Sequence, residues 1–150
     1  MSKDLPLDLF LIISSLTPII NVDLLIRNEK KQILLAWRND VLLGNGWHIP
    51  GGIIRFKETF HQRIQRVAQL EIGVKSIKYL KRPILISQCF FKGDIRGHAI
   101  SLLFDCFLHS NIKLDKMKVK KPTNGALKWH TSCPKDLLAT QQFCQKFFTE

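Results

Sequence analysis

This chain of 150 residues lacks the cysteine spacing that marks metal-binding and redox domains. Its four cysteines, at positions 89, 106, 133 and 144, include no C-x-x-C pair, which excludes the common zinc and thioredoxin-type motifs. A domain of this length also buries a sufficient core without cross-links. We therefore expect reduced, partly buried thiols in a cytosolic protein.

The chain also lacks an uninterrupted apolar run long enough to cross a membrane. Residues 5–26 are rich in Leu and Ile, but Asp8 and Asp23 interrupt this segment and Pro18 breaks it. No small-residue cleavage site of the signal-peptide kind follows. We expect a soluble, cytoplasmic protein without membrane contact. The absence of repeats and linkers predicts a single domain over residues 1–150.

Acidic residues are scarce in this sequence. The 12 Asp and Glu residues stand against 23 Lys and Arg residues, which gives a formal charge of +11. Hydrophobic residues make up 45% and charged residues 23%, a balance typical of a globular domain and not of a disordered chain. The excess charge favours polyanionic partners such as nucleotides, nucleic acid or an anionic membrane, and charge alone does not choose among them.

The periodicity of the apolar residues predicts helices at both ends of the chain, with strands on either side of a central helix. The central helix, over residues 58–72, places Phe60, Ile64 and Val67 on one face and is expected to end at Gly73. Residues 39–47 are predicted to form a loop. The other predicted elements are helices over residues 4–16 and 134–148 and strands over residues 19–26, 32–38, 77–91, 99–108 and 127–130. This pattern predicts an α+β fold.

A loop and helix in the middle of the chain carry a motif in fixed register. It follows Trp47-His-Ile-Pro-Gly-Gly52, and the matching residues are Gly52, Glu58, Arg66, Glu71, Gly73 and Val74. This segment resembles the Nudix box, G-x5-E-x7-R-E-U-x-E-E-x-G-U, in which U is a bulky aliphatic residue. The resemblance implies an α/β/α sandwich with a mixed central sheet and the Nudix loop-helix. Gly52, Glu58, Arg66 and Gly73 would be structural, and we expect Glu58 and Arg66 to form a salt bridge.

Two positions of the box differ from the Nudix pattern. Val67 stands where the family has the glutamate after the arginine, and Leu70 stands at the first of the paired glutamates. Positions 67, 70 and 71 project from one side of a helix, and the resemblance implies that carboxylates there gather Mg²⁺ against a pyrophosphate. Because Glu71 alone remains, backbone carbonyls and substrate phosphates would have to complete a metal site.

Over roughly residues 8–140, the chain resembles one Nudix branch, the GDP-mannose mannosyl hydrolases, whose box also lacks the extra glutamates. The similar segments are Val22-Asp23-Leu24 after the first helix, the strand that ends in Arg38, Lys128-Trp129 and residues 136–139. The resemblance implies a homodimer that cleaves a nucleoside diphosphate sugar at the sugar carbon and releases GDP and the hexose.

The same resemblance implies roles for individual residues. The Gly51 carbonyl and Glu71 would hold Mg²⁺, with Mn²⁺ as the alternative ion. Arg38 would stabilise the departing diphosphate, for which its fork geometry is suited, although a strand-end arginine is also consistent with ordinary surface charge. Asp23 would contact the nucleotide or the sugar, and an acid in an apolar run is equally consistent with a hydrogen-bonded structural role.

The chain departs from the branch at the catalytic base. Thr123 and Asn124 stand where the branch has a metal-binding glutamine and a histidine base, and an asparagine does not accept a proton near neutral pH. His130 and His98 are the candidate bases in their place. The arginine that follows Gly-Gly in the branch is an isoleucine here, and Arg55 is the candidate substitute for binding the substrate.

These observations leave three functions open. The first is a Mg²⁺-dependent hydrolase of a nucleoside diphosphate sugar, most like GDP-mannose. The second is a binding module that recognises a nucleotide ligand without hydrolysing it. The third is an enzyme that acts at phosphorus on nucleotides or capped RNA, which the charge and the lysine-rich residues 113–121 suggest. The missing glutamates weaken this last interpretation, so RNA is not the favoured partner.

Overall fold

The computed structural model describes residues 5–40, 44–93, 95, 97–108 and 121–149. It contains two α-helices, α1 (Leu7–Leu16) and α2 (Phe60–Val67), a π-helical turn (Ala68–Ile72) directly after α2, and a C-terminal 3-10 helix (Ala139–Phe148). The strands are β1 (Ile19–Ile26), β2 (Ile33–Asp40), β3 (Gly44–His48), β4 (Gly51–Ile53), β5 (Lys78–Tyr79), β6 (Leu85–Phe90), β7 (His98–Phe107) and β8 (Leu127–His130).

The strands form two sheets. In the larger one, of five strands, the order is β4-β1-β7-β5, and β6 also pairs with β7. Strand β1 runs parallel to β7 and antiparallel to β4, so that this sheet is mixed, as predicted. The smaller sheet has the order β3-β2-β8, and both of its pairings are antiparallel.

Helices cover the strands on two opposite sides because successive strand residues point to opposite faces. Leu24 of β1 packs into a core cluster with Ile64 of α2, whereas its neighbour Leu25 packs into a second cluster with Cys144 and Phe147 of the C-terminal helix. All of these side chains are buried. The alternation confirms the α+β fold and its arrangement as an α/β/α sandwich.

Several predicted boundaries are wrong in detail. Residues 39–47 are not a continuous loop, since β3 pairs with β2 across this stretch. The central helix begins at residue 60 and changes to π-helical geometry at residue 68, and the closing helix is a 3-10 helix that begins only at residue 139. Residues 77–91 contain two separate strands, β5 and β6. Most of the predicted basic stretch lies outside the described residues.

Local interactions determine where the helical part of the loop-helix begins and ends. Thr59 and Gln62 form a capping box at the start of α2, in which the Thr59 hydroxyl accepts the Gln62 N–H and the Gln62 side chain accepts the Thr59 N–H. Gly73 ends the π-helical turn with φ of +83°, a left-handed conformation that favours glycine. The predicted stop at Gly73 is therefore confirmed.

Helix α1 lies on the surface with an apolar composition. Ser14 is its one buried residue, and Leu7 and Leu16 are 68% and 78% exposed. Across the residues that the structure describes, none of the helices has both the length and the apolarity needed to cross a bilayer.

Candidate active site

Five of the residues predicted to bind metal or substrate line one cavity of about 490 Å³: Asp23, Arg38, Gly51, Arg55 and Glu71. They come from β1, β2, β4, the loop after β4 and the π-helical turn, so that the fold brings together residues far apart in sequence. The remaining lining is largely apolar and includes Phe10, Ile19, Ile53, Phe91 and Phe143. The cavity thus combines charged groups with an apolar wall, as many ligand sites do.

Asp23 and Gly51 are packed closely together at this site. They are register partners in the antiparallel pair of β1 and β4, and a Cβ atom built on Gly51 would overlap the Asp23 carboxylate. Asp23 is 5% exposed and accepts a hydrogen bond from the Ser101 hydroxyl. Burial raises the pKa of Asp23 to about 6, although the Ser101 hydrogen bond and the charge of Arg38 act in the opposite direction.

Arg38 lies between this cavity and a smaller one of about 190 Å³, and Glu71 lines both. Asn124 lines the smaller cavity, where its side-chain oxygen accepts the Asn39 N–H at 3.0 Å. The position at which the resembled branch has its histidine base is therefore close to Arg38 and Glu71, but the side chain there is an amide already engaged with the backbone.

His48 is a cavity residue outside the set of site residues predicted from the sequence. It lines both cavities, its Nδ1 lies 2.7 Å from the Ile49 carbonyl, and its Nε2 lies 4.0 Å from a Glu71 carboxylate oxygen. Burial and then the charge of Arg38 lower the pKa of His48 to about 3, so the ring is neutral at pH 7. Its Nδ1 then donates to the carbonyl, which leaves the Nε2 lone pair directed at the Glu71 side. The sequence feature that could have identified His48 as a site residue is its position just before the Pro-Gly-Gly loop.

The predicted salt bridge between Glu58 and Arg66 is wrong. Glu58 pairs with Arg63 instead, through the Arg63 Nε at 2.8 Å, and the same carboxylate oxygen accepts the Arg55 N–H at 2.9 Å. The hydrogen bond from Arg63 lowers the pKa of Glu58 despite its partial burial. The Arg66 Nε is buried, and among the described residues it has no hydrogen-bond partner.

His130 is held in packing contacts and does not line either cavity. Its ring packs edge-on against Trp47 with centroids 4.7 Å apart, and its side chain is only 9% exposed. Burial lowers the pKa of His130 to about 4. His98, the other candidate base, stacks on Phe90 and also lies outside the cavity lining. The prediction that one of these histidines acts as the base is therefore not supported by their positions.

Comparison with known proteins places this architecture in a family. The family model of the NUDIX domain matches residues 17–142, most of the chain. The chain belongs to the Nudix hydrolase family. In this Nudix domain, the Pro-Gly-Gly loop, α2 and the π-helical turn form the loop-helix that carries the box residues.

Individual relatives agree with this assignment. The low-salt glycan biosynthesis protein Agl8 of Haloferax volcanii is 29% identical over 114 residues, which cover 70% of this chain and 72% of Agl8. A MutT protein from Methanosarcina mazei is 25% identical, with a TM-score of 0.61 over 89% of this chain and 92% of its own. A MutT Nudix hydrolase from Burkholderia pseudomallei, 16% identical with a TM-score of 0.65 over 87% and 97% of the two chains, shows the same fold.

Nudix hydrolases generally use a divalent metal, typically Mg²⁺, and the cavity offers suitable donors. The Glu71 carboxylate and the Gly51 backbone line it together, and both provide the oxygen ligands that Mg²⁺ prefers. Within the described part of the chain, no group of three His, Cys, Asp or Glu side chains is arranged to hold an ion. The donor set therefore fits a metal that takes its remaining ligands from water and substrate phosphates.

Proposed function

We propose that this chain is a Mg²⁺-dependent Nudix hydrolase of a nucleoside diphosphate sugar, most like GDP-mannose, that releases GDP and the hexose. The observation that carries the proposal is the convergence of Asp23, Arg38, Gly51 and Glu71 on one cavity. The likeness to Agl8, a glycan biosynthesis protein, supports a sugar nucleotide as the substrate.

The proposed mechanism rests on the placement of charge around the diphosphate. Gly51 and Glu71 would hold the Mg²⁺ ion, or Mn²⁺ in its place, which would supply positive charge to the diphosphate leaving group. Arg38 and Arg55 would donate hydrogen bonds to diphosphate oxygens that gain charge as the bond to the sugar carbon breaks. Asp23, buried beside Gly51, would accept a hydrogen bond from the nucleotide or the sugar.

The direct test is release of GDP from GDP-mannose and GDP-glucose, with and without Mg²⁺. We expect metal-dependent release of GDP together with free hexose. Glu71→Gln should lower this rate by about two orders of magnitude while leaving the circular dichroism spectrum and the thermal midpoint unchanged. The matched control is Glu29→Gln, at an exposed glutamate in the turn after β1, which should keep the wild-type rate.

Reaction in ¹⁸O-labelled water identifies the atom that is attacked. Label in the hexose supports attack at the sugar carbon, whereas label in phosphate would contradict the proposal and favour an enzyme that acts at phosphorus.

A second candidate function, a Nudix domain that binds a nucleotide ligand without hydrolysis, is favoured by one observation. Val67 and Leu70 line the cavity at positions where the box has glutamates, so the cavity has fewer carboxylates than the box provides. Saturable binding of GDP-mannose without any GDP release, at high protein concentration and with Mg²⁺ or Mn²⁺, would support this candidate over the first.

We also propose that the protein is a homodimer in which α1 packs against a second copy. The resemblance to the mannosyl hydrolase branch supports this assembly, and so does the exposure of Leu7, Ile12 and Leu16 on a helix with almost no buried side chain. A cytoplasmic location is part of the same proposal, and the four free cysteines agree with a reducing compartment.

A further inference from the structure

Two guanidinium groups at the cavity carry buried donors that are not used. The Arg63 Nη2 and the Arg55 Nη1 are buried, and neither has a hydrogen-bond partner among the described residues. Both arginines line the cavity, and Arg63 is only 5% exposed. Because a buried charged donor without an acceptor costs free energy, such atoms in a cavity wall indicate a site for an anionic ligand.

Glu58 holds the Arg63 side chain and the Arg55 backbone. One of its carboxylate oxygens accepts hydrogen bonds from the Arg63 Nε–H at 2.8 Å and from the backbone N–H of Arg55 at 2.9 Å. This carboxylate orients the Arg63 guanidinium through a single nitrogen and therefore leaves Nη2 available. One negative charge between two positive ones also leaves this part of the wall with a net charge of +1.

Arg63 lies next to Gly52 of the Pro-Gly-Gly loop. A Cβ atom on Gly52 would lie 3.4 Å from the Arg63 Cδ and 3.5 Å from its Nη1, so the missing side chain leaves the space above the guanidinium open. Arg63 also precedes Val67 and Glu71 by about one and two helical turns, which places all three on the same face of the loop-helix. Arg63 thus shares a cavity wall with the residues proposed to hold the metal.

The other charged groups of the cavity lining carry more negative than positive charge. Arg38 is accompanied by the carboxyl groups of Asp23, Asp40 and Glu71. The pair of Arg55 and Arg63 is therefore the strongest excess of positive charge in the described lining, and it is rich in donors.

We propose that Arg63, together with Arg55, forms a diphosphate-binding subsite on the wall of the cavity. Arg63 donates through Nη2 and Arg55 through Nη1 to oxygens of the same diphosphate, a geometry for which the planar guanidinium is suited. The identity of the ligand as the diphosphate of a sugar nucleotide rests on the proposed function. The subsite gives a function to a deeply buried cation on the face of α2 that lines the cavity.

The test measures diphosphate binding without any chemistry. Methylenediphosphonate, whose P–C–P bridge is not hydrolysed, is titrated calorimetrically into the wild-type protein, with Mg²⁺ and again with EDTA. Arg63→Lys keeps a positive charge beside Glu58, but one ammonium group cannot serve both Glu58 and the ligand. We expect this variant to bind the probe 10- to 100-fold more weakly in both conditions, because the loss of a hydrogen bond between charged groups weakens binding by about this factor. The matched control, Arg82→Lys at an exposed arginine before β6, should bind as the wild type does.

A second variant keeps the test valid if Arg63→Lys is unstable. The double substitution Glu58→Gln and Arg63→Gln replaces the ion pair by neutral amides that still hydrogen-bond, and it should fold and lose binding to a similar extent. Binding within twofold of the wild type in either folded variant, or no binding by the wild type, would overturn the subsite.

If the wild type binds the probe and Arg63→Lys does not, but no sugar nucleotide is cleaved, the subsite stands and the proposed function fails. If sugar nucleotides are cleaved with KM unchanged in Arg63→Lys, the proposed function stands and the subsite fails.

Discussion

At the scale of single residues, the steric fit between Gly51 and Asp23 gives a sharp prediction. A methyl group on Gly51 would occupy the space of the Asp23 carboxylate, so Gly51→Ala must displace either the side chain or strand β4. We expect a loss of about 1–3 kcal/mol in the free energy of unfolding, measured by urea denaturation, because overpacked sites cost that much. Metal-dependent GDP release should fall as well, since both residues belong to the proposed site.

The control for this prediction is a double-mutant cycle. Asp23→Ala removes the group closest to a Cβ atom on residue 51 and leaves the Val22 carbonyl at 3.0 Å, so Gly51→Ala should cost clearly less in that background. A cycle in which the two free-energy changes simply add would show that the overlap is not the cause.

His130 provides a pH-dependent contribution to stability. Burial lowers its pKa to about 4 in the folded protein, against an ordinary value of 6.5, so between these values the unfolded chain binds a proton that the folded chain does not. Stability must therefore fall as the pH decreases from 6.5 towards 4. Integrating this linkage between the two pH values gives a loss of about 2 kcal/mol in the free energy of unfolding at pH 5 relative to neutral pH.

His130→Phe, which retains a ring against Trp47, tests this assignment by urea denaturation at pH 7 and pH 5. The difference in unfolding free energy between the two pH values should be smaller in the variant by that amount. His48, whose pKa is also lowered, contributes equally to both proteins. An unchanged difference would mean that His130 is not a source of the acid sensitivity.

The site was partly predictable because some of its residues belong to a motif in fixed register, while others depend on packing. The motif and its resemblance pointed to Gly51 and Glu71, which do line one cavity. The partner of Glu58 was not predictable from helical spacing, because α2 begins only at Phe60 and Glu58 lies outside it. Its carboxylate therefore reaches Arg63, five residues on, and this contact became visible only with the loop in place.

At the scale of elements, the predictions failed where local propensity and pairing disagree. Strand β3 contains Gly44 and Gly46, which favour a loop, yet it pairs along β2. A side chain at Gly46 would lie 2.5 Å from the Asp136 carbonyl, so this glycine serves close packing within the strand. The change from α2 to π-helical geometry has no sequence signal that we identify. Strand β1, by contrast, has an apolar pattern strong enough to give both of its ends correctly.

The capping box at the start of α2 gives a prediction at this scale. Thr59→Ala removes the acceptor for the Gln62 N–H, and loss of such a cap costs about 1 kcal/mol of unfolding free energy. Urea denaturation should show a lower midpoint with an unchanged slope. Thr59→Ser keeps the hydroxyl and should remain close to the wild type. Equal losses for both variants would assign the effect to the Thr59 methyl group instead of the cap.

At the scale of the whole molecule, the exposed apolar face of α1 predicts the state of assembly. Ile12 is 56% exposed on this helix, and Ile12→Glu would place a charge in the proposed contact with a second copy without disturbing the core of one chain. Light scattering after gel filtration should give about twice 17.4 kDa for the wild type and 17.4 kDa for Ile12→Glu, with the thermal unfolding of the variant still cooperative. Leu80→Glu, at a leucine 48% exposed outside α1, is the matched control and should remain dimeric. A monomeric wild type, or a dimer that survives Ile12→Glu, would contradict α1 as the interface.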